Sequence, residues 1–148
     1  MYRKELRIMI SVLSTIIILG IYGLRVYTNY LADNPELLND FKFWGKSFLI
    51  LIPVMVVAQI IIQIIFAIIN AIVTKKETAE ITDERDKLID LKAIRVSHWT
   101  FCAGFLMAMG SQAIGMQPYV MFITLIGSCF IAGIAEGITQ IYYYRKGG

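Results

Sequence analysis

A chain of 148 residues with 57% hydrophobic side chains and a mean hydropathy of +0.66 is too apolar for an ordinary soluble domain of that length. Its net charge of +3 is small and its basic residues gather at the ends of apolar runs. The charge therefore speaks for membrane topology and against a direct nucleic-acid partner.

Four stretches are long and apolar enough, or nearly so, to cross a bilayer core as helices: 8–27, 48–73, 96–113 and 119–144. None alternates with period two, which excludes a barrel. In hydrocarbon, helices are the remaining way to satisfy every backbone group. The expected fold is all-α, one polytopic domain over 1–148 with four transmembrane helices. The first run is longer than the roughly 7–15-residue core of a signal peptide, and no small-x-small cleavage site follows it. It is expected to stay as the first span.

Basic residues orient the spans. Arg3, Lys4, Arg7, Lys75, Lys76, Arg85, Lys87, Lys92, Arg95, Arg145 and Lys146 fall on one side, against Arg25, Lys42 and Lys46 on the other. The positive-inside bias places both termini and the 74–95 connector in the cytoplasm. Tyr2, Trp99 and residues 142–144 suit the inner interface, and Tyr27, Tyr30, Trp44 and Tyr119 the outer one.

The first connector is too long for a tight turn. Asn34 before Pro35 reads as a helix start, and Leu37, Leu38, Phe41 and Trp44 then share one side of a short outer interfacial helix. A substrate-gating lid is the sharper reading of the same residues. In the 74–95 connector, Thr82 is the expected N-cap of the third helix, with Asp83, Glu84 and Asp86 in its first turn. Ile81, Leu88, Leu91 and Ile94 form an apolar stripe, and the absence of Pro or Gly from 82 to 102 extends this helix from the cytoplasm into the bilayer. The uncharged stretch containing Gly115 and Pro118 predicts a tight hairpin between the third and fourth helices.

Glu136 is the one carboxylate well inside a span, and intramembrane ionisable groups are costly enough to be functional candidates. A structural ion pair or hydrogen bond is the plainer reading, with Arg95 and His98 as partners. Gln59, Gln63 and Asn70 share a face of the second helix, and Gln140 lies one turn from Glu136. These are either a polar track through the bundle or glue between helices. Cys129, Gly133 and Gly137 make a small-residue stripe for close packing, against the third helix or another subunit. Cys102 and Cys129 are expected at depths about 9 Å apart, too far for a disulfide.

No nucleotide, hydrolase or zinc motif is present, and His98 is the only histidine, so neither a cofactor nor a metal is expected. Asp83, Asp86 and Asp90 could bind a divalent ion weakly, but interleaved with Arg85 and Lys87 they read as solvated charges. A lipid-acting enzyme would need a paired carboxylate or a nucleophile motif that the chain lacks.

The segment "TDERDKLIDLKAIR" ahead of a closing pair of membrane helices resembles a family of small, uncharacterised prokaryotic membrane proteins with a D-E-R-[DE] motif at this place. The match rests on Asp83, Glu84, Arg85, Asp86, Ile89, Lys92 and Ala93. The resemblance implies the inner or plasma membrane of a prokaryote and a regulatory partnership, with small helix-turn-helix regulators often encoded alongside, and no catalytic residues.

The expectation is a non-enzymatic membrane protein that docks a partner through Asp83, Glu84, Arg85 and Asp86 while the bundle senses or anchors. Membrane lipid and a second copy or another protein are its expected partners. The alternative is an oligomeric small channel or proton-coupled transport element centred on Glu136, since four helices alone enclose little volume.

Overall fold

A computed structural model describes residues 2–74 and 83–147. Four long helices follow one another: Tyr2–Val26 (α1), Phe41–Thr74 (α2), Glu84–Ala113 (α3) and Pro118–Lys146 (α4). Among the described residues there is no strand. Helices over Arg3–Leu31, Phe41–Val73 and Pro118–Lys146 are long and apolar enough to cross a membrane. α3 is as long, but Ser97, His98, Ser111 and Gln112 dilute its apolar run.

α1 ends in one wider π turn, Tyr27–Leu31, where the Ala32 amide reaches back to the Tyr27 carbonyl at 2.8 Å. The expected interfacial helix contracts to a 3-10 turn, Pro35–Asn39, in which Asn34 holds the N-cap position without a side-chain cap. Phe41 and Trp44 belong instead to α2, which starts seven residues before the apolar run at 48. The physical reason is local: the Asp40 side chain accepts the Lys42 amide at 3.0 Å and its carbonyl accepts the Trp44 amide at 3.3 Å. α2 then continues through Pro53 without interruption.

α3 and α4 form the expected hairpin, joined at Gly115, whose φ of 82° only a glycine adopts without strain. From Ala93 onward they pack through small side chains. Ala93, Gly104, Ala108 and Ser111 of α3 are buried, as are Ser128 and Ala132 of α4. Gly104 sits so close to Ser128 that a β-carbon there would overlap its side chain. Small residues let the two helix backbones approach this closely. Leu88, Leu91 and Ile94 face away from the bundle, more than half exposed, while Ile89 and Ala93 face α4.

α1 packs on both α4 and α2. Against α4 the close approach is at Gly137, where a β-carbon would overlap Val12. Against α2 it is polar: the Gln59 amide donates to Thr15 Oγ1 at 2.7 Å, and Ser11 Oγ donates to Gln59 Oε1 at 3.1 Å. Tyr22 Oη donates to the Ser47 carbonyl at 2.7 Å nearer the other end. There α2 also meets α4, as Phe122 stacks on Trp44 (centroids 5.8 Å apart) and meets Phe41 edge-on.

Candidate functional site

Asp86 organises the end of the bundle that carries the termini. α3 begins with a capping box: Asp83 is the N-cap, its Oδ1 accepts the Glu84 amide at 2.7 Å, and Asp86 accepts the Asp83 amide at 3.0 Å. Asp83 therefore replaces the expected Thr82, which lies outside the described residues. The Asp86 carboxylate turns inward. Lys4 of α1 donates to Oδ2 and Tyr144 of α4 donates to Oδ1 at 2.9 Å. The Lys4 bond, then the Asp83 amide, hold the Asp86 carboxyl well below its ordinary 3.8, at about 2. One turn on, Gln140 of α4 donates to Asp90 Oδ1 at 3.0 Å, and Lys92 lies 4.6 Å above the Tyr143 ring. Arg145 and Glu5 close the rim with a 3.2 Å ion pair.

Above this layer, a cleft of about 920 Å³ lies between α1, α2 and α4, floored by the first turns of α3. Its polar lining is Lys4, Arg7, Ser11, Thr15, Gln59, Gln63, Asp86, Asp90, Glu136 and Gln140. Ile8, Val12, Ile60, Ile64, Phe130 and Ile134 supply apolar walls. Ile60, Ile64, Cys129 and Gly133 are exposed, so the cleft opens sideways between α2 and α4. Nothing lies within 4 Å of a β-carbon built on Gly133, whereas at Gly137, one turn further along α4, Val12 fills that space.

Most of the polar lining is engaged. Lys4 serves Asp86, Arg7 donates to Gln63, Gln59 joins Ser11, Ser14 and Thr15, and Gln140 holds Asp90. Among the described residues Glu136 makes no hydrogen bond or ion pair, although half of its neighbours in the cleft are polar.

The residues singled out in the sequence thus divide. Glu136, Gln59, Gln63, Gln140, Cys129, Gly133 and Gly137 come together on the cleft, and the small-residue stripe faces α1 and the cleft opening. Asn70, two turns beyond Gln63, has a partner of its own and does not line it. Arg95 and His98 point elsewhere: both are exposed on α3, and His98 Nε2 lies 3.6 Å from Cys102 Sγ. Their expected pairing with Glu136 does not occur, because Ile89 and Ala93 take the face of α3 turned to α4. In the D-E-R-D stretch, Asp83 and Glu84 are exposed, Asp86 is buried, and Arg85 is half-buried with Nε and Nη2 lacking a partner among the described residues.

Lys4 and Tyr144 escaped the sequence reading. A Lys four residues from the start looks like topology and a terminal Tyr looks like an interfacial anchor. Only the alignment of three helix ends makes them partners of one carboxylate. Among the described residues no three His, Cys, Asp or Glu side chains cluster as a metal site would require. No family model matches this chain, and no curated protein or solved structure matches it.

Proposed function

We propose that this chain is a non-enzymatic, regulatory or sensory membrane protein whose cleft around Glu136 is read out at the cytoplasmic connector. Both termini lie in the cytoplasm on this reading, as the basic residues at 3–7, 85–95 and 145–146 favour. α3 counts as the fourth span. It runs antiparallel to α4 with ties near both ends, Asp86 to Tyr144 and Gln112 to the Gln117 carbonyl, so a bilayer crossed by α4 accommodates α3 as well. Trp99, Leu106, Met107 and Ile114 on its outer side suit lipid.

One observation carries the coupling. Asp86 completes the capping box of α3, binds α1 and α4, and floors the cleft. A change in cleft occupancy is therefore felt in the first turn of α3, whose outward residues Glu84, Lys87, Leu88 and Leu91 form a mixed charged and apolar surface for a partner. A helix-turn-helix regulator is the partner that the D-E-R-D resemblance implies.

Gly133 allows the test without any ligand. Its side-chain position opens into the cleft, so Gly133→Phe fills the space from within. Hydrogen exchange of the amides from 84 to 90 should change several-fold in the variant at unchanged helix content. Identical exchange in the two proteins overturns the coupling.

A second reading, an oligomeric channel or proton-coupled element, draws on Glu136 lying unpaired in a polar cleft. Phe41, Trp44 and Phe122 close the far end between α2 and α4, so a continuous path would need a second copy. Reconstituted protein should then carry a proton flux that Glu136→Gln alters, and equal leak-level signals in both forms overturn it.

A further inference from the structure

The cleft opening toward lipid has a polar floor, apolar walls and a charge imbalance. Among the described residues, two cationic side chains, Lys4 and Arg7, and three carboxylates, Asp86, Asp90 and Glu136, line it, the carboxylates outnumbering the cations by one. Lys4 is held by Asp86 and Arg7 donates to Gln63, so both cations are committed within the protein. Glu136 is the carboxylate with no partner. A carboxylate left without a counter-charge at membrane depth is costly, and a bound cation removes that cost.

We propose that the cleft binds an amphiphile with an ammonium head, the head against Glu136 and the chain along Ile64, Phe130 and Ile134. This rests on the reading of the cleft as the working site and names its ligand class. The volume of about 920 Å³ lies within the usual range for pockets that enclose small ligands, roughly 300–1,000 Å³. The lateral opening between α2 and α4 admits a chain-bearing molecule directly from the bilayer. An anionic head is disfavoured, because it would meet the unpaired Glu136 and Asp90 while the two cations are already engaged. The ammonium group has two sources: the ethanolamine head of a phospholipid, or a free single-chain cation.

The full-length protein in a neutral maltoside detergent tests this with two probes. Dodecyltrimethylammonium, below its micellar concentration, is titrated calorimetrically. Phosphatidylethanolamine and phosphatidylglycerol in equal amounts are offered together, and retained lipid is counted by native mass spectrometry. One equivalent of ammonium amphiphile should bind, and Glu136→Gln should weaken it about tenfold or more, the loss of one charge-assisted contact. Gly133→Phe should abolish binding sterically with the helix content preserved. Retention of phosphatidylethanolamine over phosphatidylglycerol assigns the site to a lipid head, and binding of the single-chain cation with displacement of that lipid assigns it to a free cation. Equal binding by Glu136→Gln, or a preference for phosphatidylglycerol, overturns the proposal. Those outcomes leave the Gly133→Phe exchange experiment untouched, so failure of the ligand class and failure of the sensory reading are separable.

Discussion

Lys4 of α1 and Asp86 of α3, 82 residues apart in sequence, form an ion pair that ties the start of the chain to the start of its third helix. The Asp86 side chain is about 10% exposed and that of Lys4 about 28%, so the pair is partly shielded from water. Removing one member strands the other with an unmet charge, which costs more than the pair itself contributes. Asp86→Ala should destabilise the protein by about 2 kcal/mol in detergent, allowing for solvent screening at Lys4. The double variant with Lys4→Met should recover part of that loss. Unfolding followed by Trp44 and Trp99 fluorescence measures both, and a silent Asp86→Ala would refute the assignment.

Acid should act through the same carboxylate. Folding lowers the Asp86 pKa from 3.8 to about 2, chiefly through Lys4. A carboxyl whose pKa falls on folding stabilises the folded form while ionised. That contribution is complete above the unfolded value near 3.8 and disappears as pH falls through about 2. The melting temperature should therefore drop across that window, and Asp86→Asn should flatten that part of the profile. An unchanged acid limb in Asp86→Asn would show that other groups dominate.

Tyr144 offers a finer test of the same knot. Its hydroxyl donates to Asp86 at 2.9 Å from a position only 7% exposed. Tyr144→Phe keeps the ring packing and deletes one hydrogen bond to a charged acceptor, which is worth about 1.5–3 kcal/mol. The low end applies, because Lys4 and the Asp83 amide still satisfy Asp86. A loss of about 1.5 kcal/mol in equilibrium unfolding is the expected result.

Across the α1–α2 interface, Gln59 bonds Ser11, Ser14 and Thr15. Interhelical hydrogen bonds between membrane helices average about 0.6 kcal/mol and reach about 1.7. Gln59→Leu should then cost no more than about 2 kcal/mol in unfolding measurements, despite deleting several contacts. A much larger loss would mean that the amide also shapes the cleft.

The helices were legible in the sequence because apolar runs of this length leave the backbone few alternatives. Their faces were not. Leu88, Leu91 and Ile94 look like a packing stripe, yet they face outward, and the inward positions are Asp86, Ile89 and Ala93. Apolar character does not mark the buried side of α3; smallness does, as at Gly104, Ala108 and Ser111. The D-E-R-D stretch was misleading for a related reason. Its charges suggested one exposed surface, whereas Asp83 caps the helix, Asp86 is buried, and Glu84 alone of the carboxylates there stays outward and uncommitted. Glu136 and the glutamines could be nominated from depth alone, but the layer beneath them depends on three helix ends meeting, which no local pattern encodes.

The α3–α4 contact at Gly104 gives the sharpest packing prediction. A β-carbon there would overlap the Ser128 side chain, which is itself anchored by a 2.5 Å bond to the Thr124 carbonyl and cannot swing away without losing it. Gly104→Val should therefore push the helices apart and cost about 1–3 kcal/mol, the range for overpacking a close contact. Ser128→Gly removes the atoms that the new side chain meets, and the pair of substitutions should recover most of the loss. Gly110→Val on the same helix serves as the control, since nothing lies within 4 Å of its added β-carbon. A double-mutant cycle by equilibrium unfolding reads the coupling directly. Additive effects of Gly104→Val and Ser128→Gly would mean that the two helices do not meet here.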